Sequence, residues 1–138
     1  MISAREIMTE DVTCVGARDD VATAAHKLAE HRVGAMPICG EDDRLKGMLT
    51  DRDIVVKVLA QDLDPASVTA GDLAQGKPVT IGADDDAEEI LRTMAQHKIR
   101  RLPVIDGHTL VGIVALADVA RALPDQPVGN VLNALSED

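Results

Sequence analysis

Two segments of the chain place polar side chains at a fixed spacing. The first runs from Gly47 through Thr50 to Asp53, and the second ends in Ala115-x-x-Asp118. A Thr-x-x-Asp pair predicts a helix N-terminus, because the hydroxyl accepts from a backbone N–H and the carboxylate complements the helix dipole. The spacing by itself therefore favours a capping role.

A second group of side chains is basic, in a chain whose formal net charge is −10. His97, Lys98, Arg100 and Arg101 lie close together in the sequence. Arginine makes charge-assisted, bidentate contacts with phosphate. Cations at a helix end also complement its C-terminal dipole. The group therefore indicates either a phosphate contact or a solvated helix end.

The two cysteines, Cys14 and Cys39, match no zinc or Cys-x-x-Cys pattern. They are either two reduced core thiols or a disulfide, because one small unit can bring their Cα atoms within the usual range of about 4.4–6.8 Å. Disulfides are rare in the cytosol. The histidines lack the clustered ligands of a zinc site, so no metal is expected. They are His26, His31, His97 and His108.

The composition argues against several functional classes. The chain has no Phe, Trp or Tyr and is acidic, whereas single-strand nucleic-acid binders combine positive charge with aromatic rings. No apolar run reaches the roughly 20 residues that span a bilayer, and no signal peptide is recognised, so we expect a cytoplasmic protein. No phosphate-binding loop, nucleophile elbow or metalloprotease motif is present, so no enzymatic activity is expected.

The chain repeats itself, because residues of the first half recur 66 positions later. Thr13-Cys14-Val15-Gly16 is matched by Val79-Thr80-Ile81-Gly82, and a shorter turn then reduces the offset to 65. We predict a first repeat over residues 1–60, a connector over 61–68, a second repeat over 69–124 and an amphipathic tail over 125–138.

Each repeat predicts the order helix, strand, helix, strand, strand, helix. Capping boxes at Ser3 and Thr69 are expected to open the first helices. The long helices have apolar residues at helical spacing. Their expected caps are Asp19 or Asp20 and Asp84 or Asp85.

The strands after the long helices are expected over 33–38 and 99–104, where Pro37 and Pro103 end or edge the ladder. The last helices should start near Thr50 and Ala115. Because a unit of about 60 residues buries little of its surface, we expect the two sheets to pack face to face about a pseudo-twofold axis.

Two strands with hydrophobic-Pro-hydrophobic endings, each followed by a Gly-x-x-[Ser/Thr]-x-x-Asp segment, resemble the CBS-domain pair, or Bateman module, over nearly the whole chain. Residues 13–16, 37–40 and 47–55 look most like the small stand-alone actinobacterial hypoxic-response members. The resemblance implies an α/β (α+β) fold of two β-α-β-β-α repeats, and commonly a homodimer.

The resemblance also implies a regulatory module that binds an adenine nucleotide of the AMP and ATP class in clefts between the repeats and responds to stress or hypoxia. The nucleotide is a regulatory ligand, and no cofactor is required. Asp53 and Asp118 would hold ribose hydroxyls, and Thr50 would contact phosphate. The remaining implied contacts are Thr13, Gly34, Ala35, Met36, Thr80, Arg100, Arg101 and Leu102.

The second copy departs from the family pattern, because Ala115 stands where the first copy has the Thr50 hydroxyl. The two clefts therefore cannot be equal, and Arg100 and Arg101 would hold phosphate by charge instead. The alternative is a stress-induced interaction protein with vestigial clefts, which recruits an unidentified protein through its dimer or tail surface. The apolar tail residues are Val128, Val131, Leu132 and Leu135.

Overall fold

The computed structural model describes residues 1–74 and 76–123. The helices are Ala4–Ile7 (α1), Val21–His31 (α2), Asp51–Ile54 (α3), Ala70–Leu73 (α4), Ala87–His97 (α5) and Leu116–Ala122 (α6). The strands are Val15–Gly16 (β1), Ala35–Cys39 (β2), Leu45–Thr50 (β3), Ile81–Gly82 (β4), Arg101–Asp106 (β5) and Thr109–Ala115 (β6). A π-helix over Val55–Leu59 continues α3. The predicted order of elements is confirmed in both repeats.

The chain forms two compact units. The continuous unit is Thr13–Pro78, and the discontinuous unit combines Met1–Val12 with the described residues from Val79 to Leu123. Each unit holds a three-stranded mixed sheet, in the orders β1-β2-β3 and β4-β5-β6. In each sheet the first strand runs parallel to the central strand and the third runs antiparallel to it. The α/β fold expected from the repeats is confirmed.

The opening helix of each repeat belongs to the unit of the other repeat. Ala4 of α1 is fully buried in the core of the discontinuous unit, and its N–H donates to Asp85 O at 2.8 Å. Thr9 and Ile113 exchange two backbone hydrogen bonds in the same unit. Likewise α4 packs against β1 and β3 of the continuous unit. The predicted boundaries separate the two repeats along the sequence. In space, each compact unit consists of most of one repeat together with the short opening segment of the other repeat.

Aspartate caps begin the long helices. Asp20 Oδ1 accepts from Thr23 N in α2 (2.7 Å), as predicted. In α5 the cap is Asp86, which accepts from Glu89 N (2.8 Å), so the prediction of Asp84 or Asp85 is wrong by at least one residue. Asp85 instead accepts from Gly82 N in the preceding turn. The 66-residue offset applied to Asp20 gives Asp86 directly.

The two predicted capping boxes of the opening helices differ in outcome. Thr69 and Asp72 form the reciprocal pair of side-chain to backbone hydrogen bonds. At α1 the box is absent, because the Ser3 hydroxyl donates to the Glu6 carboxylate instead of accepting from the backbone.

The central strands begin two residues later than predicted. Arg32 and Lys98 adopt left-handed backbone conformations, and the next N–H groups, of Val33 and Ile99, donate back into the helices. Val33 and Ile99, which were expected to begin the strands, therefore belong to the ends of the helices. Neither Pro37 nor Pro103 ends its strand, because β2 continues to Cys39 and β5 to Asp106. Each proline instead lies at the edge of the parallel ladder, whose pairs begin at Ile38 and Val104.

Aliphatic side chains fill both cores. The largest fully buried ones are Ile38 and Leu49 in the continuous unit, and Ile90, Met94 and Leu102 in the discontinuous unit. Among the described residues, no helix is long and apolar enough to cross a bilayer. The predicted tail, 125–138, lies outside the described residues.

Candidate functional site

The candidate ligand residues of the first repeat gather at one end of its sheet. Ala35, at the start of β2, pairs with Thr50, at the end of β3, and Gly34 O accepts from Asp51 N at 2.9 Å. Thr13 lies two residues before Val15, the first residue of β1. Because β1 and β2 are parallel, Thr13 belongs to this same end. We call Thr13, Gly34, Ala35, Thr50 and Asp53 the first sheet end.

Reciprocal hydrogen bonds fix the polar side chains of the first sheet end. Thr50 Oγ1 accepts from Asp53 N, and Asp53 Oδ2 accepts from Thr50 N, both at 3.0 Å. Lys57 Nζ lies 3.3 Å from the other carboxylate oxygen, Asp53 Oδ1. The capping role expected from the spacing is therefore real. A carboxylate has about four acceptor sites, so these two contacts leave capacity for a ligand.

The second repeat has an equivalent sheet end with different chemistry. Arg101 pairs with Ala115, and Arg100 O accepts from Leu116 N at 2.8 Å. Asp118 Oδ2 accepts from Ala115 N at 2.8 Å, which is half of a capping box, and the other oxygen is paired with Arg121. We call Thr80, Arg100, Arg101, Ala115 and Asp118 the second sheet end.

Two of the residues expected to line the adenine have buried side chains. Met36 is 3% exposed and Leu102 is fully buried, and both belong to the cores. Their side chains therefore face away from solvent, and only their backbone groups remain available to a ligand. The residues that follow each of them in the strand are buried as well, so both strands are covered on both faces at these positions.

Thr13 and Thr80 are not equivalent positions. The pairs Val15–Ile38 and Ile81–Val104 align the two sheets with the 66-residue offset. Thr80 therefore corresponds to Cys14, and Thr13 corresponds to Val79.

The two sheet ends differ in charge. Where the first has Gly34 beside Asp51, the second has Arg100 beside Leu116. A Cβ added at Gly34 would lie 3.3 Å from an Asp51 carboxylate oxygen, so a small residue suits this contact. Arg100 and Arg101 are both exposed. The first sheet end therefore gains a carboxylate, and the second gains two guanidinium groups.

A groove of about 440 Å³ adjoins the first sheet end. The end of α2 and the start of α3 form its walls. The groove residues that the sequence did not single out include Arg32, Val33 and Asp51. The only sequence signal for them is their position beside predicted site residues. Lys57 was also missed, although its i,i+4 spacing from Asp53 is the usual spacing of a helical ion pair.

The segment before β1 is held by a second polar network. Cys14 and Cys39 are joined as a disulfide with a Cα–Cα distance of 5.8 Å. Lys27 Nζ donates to Cys14 O (3.5 Å) and to Asp19 Oδ2 (3.1 Å). The hydrogen bond from Gly16 N lowers the pKa of Asp19 below its usual value, partial desolvation opposes this, and Lys27 lowers it further.

Comparison with known protein families gives two matches along the chain. The model of the CBS domain matches residues 4–60 and 70–125. The chain is 50% identical over 135 residues to Hypoxic response protein 1 of Mycobacterium tuberculosis, covering 98% of this chain and 94% of that protein. It is also 40% identical to the CBS domain-containing protein YhcV of Bacillus subtilis, covering 99% of this chain and 96% of that protein.

Solved structures support the same relationship. The crystal structure of Hypoxic Response Protein I with two coordinated zinc ions matches with a TM-score of 0.83 and 53% identity, covering 88% of this chain and 99% of that one. The structure of CBSX2 in complex with AMP matches with a TM-score of 0.77 and 25% identity, covering 88% and 96%. Within residues 1–74 and 76–123, no three His, Cys, Asp or Glu side chains are grouped to hold a metal ion.

Proposed function

This chain belongs to the CBS-domain family, and on that premise we propose that it is a non-catalytic sensor that binds an adenine nucleotide at its sheet ends in a stress or hypoxia response. The observation that carries the proposal is the convergence of Gly34, Ala35, Thr50 and Asp53 at one end of a sheet. The AMP complex of CBSX2, a structural relative, supports this ligand class.

The first sheet end suits a ribose that carries a single phosphate group. Asp53 is oriented by Thr50 N and Lys57, so its remaining lone pairs are ordered before a ligand arrives. Ribose hydroxyls are donors that such a carboxylate accepts. The backbone of Gly34 and Ala35 offers polar groups without bulky side chains, and adenine fits against such a surface.

The second sheet end suits a more highly charged phosphate group. Arg100 and Arg101 are exposed on a chain that is otherwise acidic. Guanidinium groups make bidentate, charge-assisted contacts with phosphate oxygens. They therefore take the role that the Thr50 hydroxyl has in the first copy, and we expect this end to prefer ADP or ATP over AMP.

The test is titration calorimetry with AMP, ADP and ATP on the wild type and on Asp53→Asn. Asparagine keeps a cap acceptor but removes the charge, so we expect AMP affinity to fall about tenfold, the loss of one charge-assisted hydrogen bond of about 1.4 kcal/mol. Asp72→Asn is the matched control, because Asp72 forms the same capping box with Thr69 away from the sheet ends. If no nucleotide binds at millimolar concentration, or if both variants weaken AMP equally, the proposal is wrong.

A second candidate function is recruitment of a protein partner, which includes a second copy of the chain. It is favoured by apolar side chains left exposed on the continuous unit. They are Val33, Val55, Val56, Leu59 and Leu63. Three of them, Val55, Val56 and Leu59, lie on the one π-helix, and contiguous exposed apolar surface is typical of interaction sites. An adaptor of this kind would keep its partner in the presence and absence of nucleotide.

A further inference from the structure

The disulfide occupies positions that the second repeat fills with ordinary side chains. Cys14 stands where the second repeat has Thr80, and Cys39 stands where it has Ile105. Cys14 follows Thr13 of the first sheet end in the chain and directly precedes β1. The bridge therefore joins the chain neighbour of a site residue to the last residue of β2.

The chain before β1 has few other restraints. In the described part of the chain, β1 pairs with β2 through only two residues, Val15 and Gly16. Cys14 precedes them and is held by the bridge and by Lys27. The counterpart of Lys27 in α5 is Thr93, whose hydroxyl donates to Glu89 O of its own helix. This restraint by a bridge and a lysine is therefore particular to the continuous unit.

We propose that Cys14 and Cys39 form a redox switch that sets the nucleotide affinity of the first sheet end and leaves the second unchanged. This inference rests on the proposed function. In the oxidised state the Thr13–Cys14 backbone is ordered before the ligand binds. In the reduced state that ordering must occur on binding, and fixing one residue costs about 1–2 kcal/mol, which corresponds to an affinity about 5- to 30-fold weaker.

The switching reaction is thiol–disulfide exchange with a dithiol reductant. One thiolate of the reductant attacks a bridge sulfur, the Cys14–Cys39 bond breaks, and a mixed disulfide forms while the other cysteine leaves as a thiolate and takes up a proton. The second reductant thiol then displaces the remaining cysteine. The reductant becomes a cyclic disulfide and has supplied two electrons and two protons. Cys39 lines a surface groove of about 600 Å³ together with Gly16, Arg18 and Lys46, which gives a route of approach.

The experiment compares AMP titrations of oxidised and dithiothreitol-reduced protein, with alkylation and mass spectrometry to count free thiols. Reduction should weaken AMP binding about 5- to 30-fold in Asp118→Asn, where the first sheet end is intact. Asp53→Asn keeps a weakened first sheet end, so ATP, which the second sheet end is expected to prefer, is the probe there, and reduction should leave the ATP affinity of this variant unchanged. Circular dichroism verifies that the reduced protein stays folded.

A matched variant exchanges both cysteines for the residues of the second repeat. Cys14→Thr with Cys39→Ile should bind AMP with the affinity of the reduced protein, whether or not dithiothreitol is present. Equal AMP affinity of oxidised and reduced wild type overturns the switch but leaves the proposed function standing. A bridge that dithiothreitol does not reduce in the folded protein also overturns the switch. So does an effect of reduction on ATP binding by Asp53→Asn that equals the effect on AMP binding by Asp118→Asn. Absence of nucleotide binding in both redox states overturns the proposed function itself, and the switch with it.

Discussion

At the scale of single residues, the ionisation of Asp19 makes the stability of the protein depend on pH. Its pKa is lowered from 3.8, first by the Gly16 N–H and then by Lys27. A carboxyl group whose pKa is lower in the folded state adds stability above its unfolded pKa, and this stability is lost as the pH falls through the folded pKa. We therefore expect Asp19→Asn to lower the free energy of unfolding at pH 7 by about 1 kcal/mol, since the group is partly exposed and screened.

Urea unfolding at pH 7 and at pH 2.5, roughly a pH unit or more below the usual carboxyl pKa, checks this prediction. The difference between wild type and Asp19→Asn should shrink at the lower pH. Asp85→Asn is the control, because Asp85 accepts from Gly82 N in the same way, whereas the second repeat has Thr93 at the position equivalent to Lys27. Asp85→Asn should lower the free energy of unfolding at pH 7 by less than half as much as Asp19→Asn. Equal losses, or a constant difference across pH, would show that Lys27 and the charge of Asp19 contribute little.

The spacing of Thr50 and Asp53 predicted their capping box, which is confirmed, whereas their ligand role stays a prediction. The Thr50 and Asp53 pair was found because a capping box has a fixed spacing and a ligand role was implied by the family. The buried side chains of Met36 and Leu102 were not found, because the family pattern names a segment and does not say which face each residue takes. Thr13 and Thr80 were paired because both are threonines, although the 66-residue offset aligns Thr13 with Val79.

At the scale of elements, the attachment of the N-terminal segment to β6 depends on a glycine. A Cβ added at Gly112 would lie 2.8 Å from Thr9 O and 2.6 Å from Met8 Sδ. The backbone at Thr9 cannot move away without breaking its hydrogen bonds to Ile113. We expect Gly112→Ala to lower the free energy of unfolding by about 1–3 kcal/mol, the usual cost of overpacking.

Thermal and urea unfolding followed by circular dichroism measures this effect. The control is Gly47→Ala at the equivalent position of β3, where the nearest atom is the Ala74 Cβ at 3.0 Å and no backbone oxygen lies close. Its cost should be below about 1 kcal/mol. A larger cost for Gly47→Ala than for Gly112→Ala would contradict the close approach of Thr9 to β6.

The order of elements does not predict that the opening helix of each repeat packs in the unit of the other repeat. Periodicity and capping placed the helices and strands in order, since these signals are local. Whether α1 packs on its own repeat or on the other depends on contacts such as Ala4 N to Asp85 O, which join residues far apart in the sequence. The two-residue delay of β2 and β5 has a local cause, the left-handed helix ends, but Arg32 and Lys98 are not the glycines that usually mark them.

At the scale of the whole molecule, the two repeats differ in surface as well as in charge. Val55 and Val56, on the π-helix that continues α3, are 55% and 43% exposed. The 65-residue offset matches them to Ala120 and Arg121 of α6. The first repeat therefore presents an apolar helical face, whereas its counterpart in the second repeat is small or charged. An exposed apolar face of this kind is the surface that a protein partner would cover.

The simplest partner for this apolar face is a second copy of the chain, as in the predicted homodimer. If a second copy covers the apolar face, Val55→Glu places a charge in the interface and should raise the dimer dissociation constant at least tenfold, since desolvating an unpaired charge costs about 1.4 kcal/mol or more. Ala120→Glu adds the same charge at the equivalent exposed position and should leave the dimer intact. Both positions are exposed in the single chain, so neither change should lower its unfolding free energy by more than about 0.5 kcal/mol. Sedimentation velocity over a range of concentrations separates the outcomes: a wild type that stays monomeric, or equal dissociation constants for the two variants, would show that a second copy does not cover the apolar face.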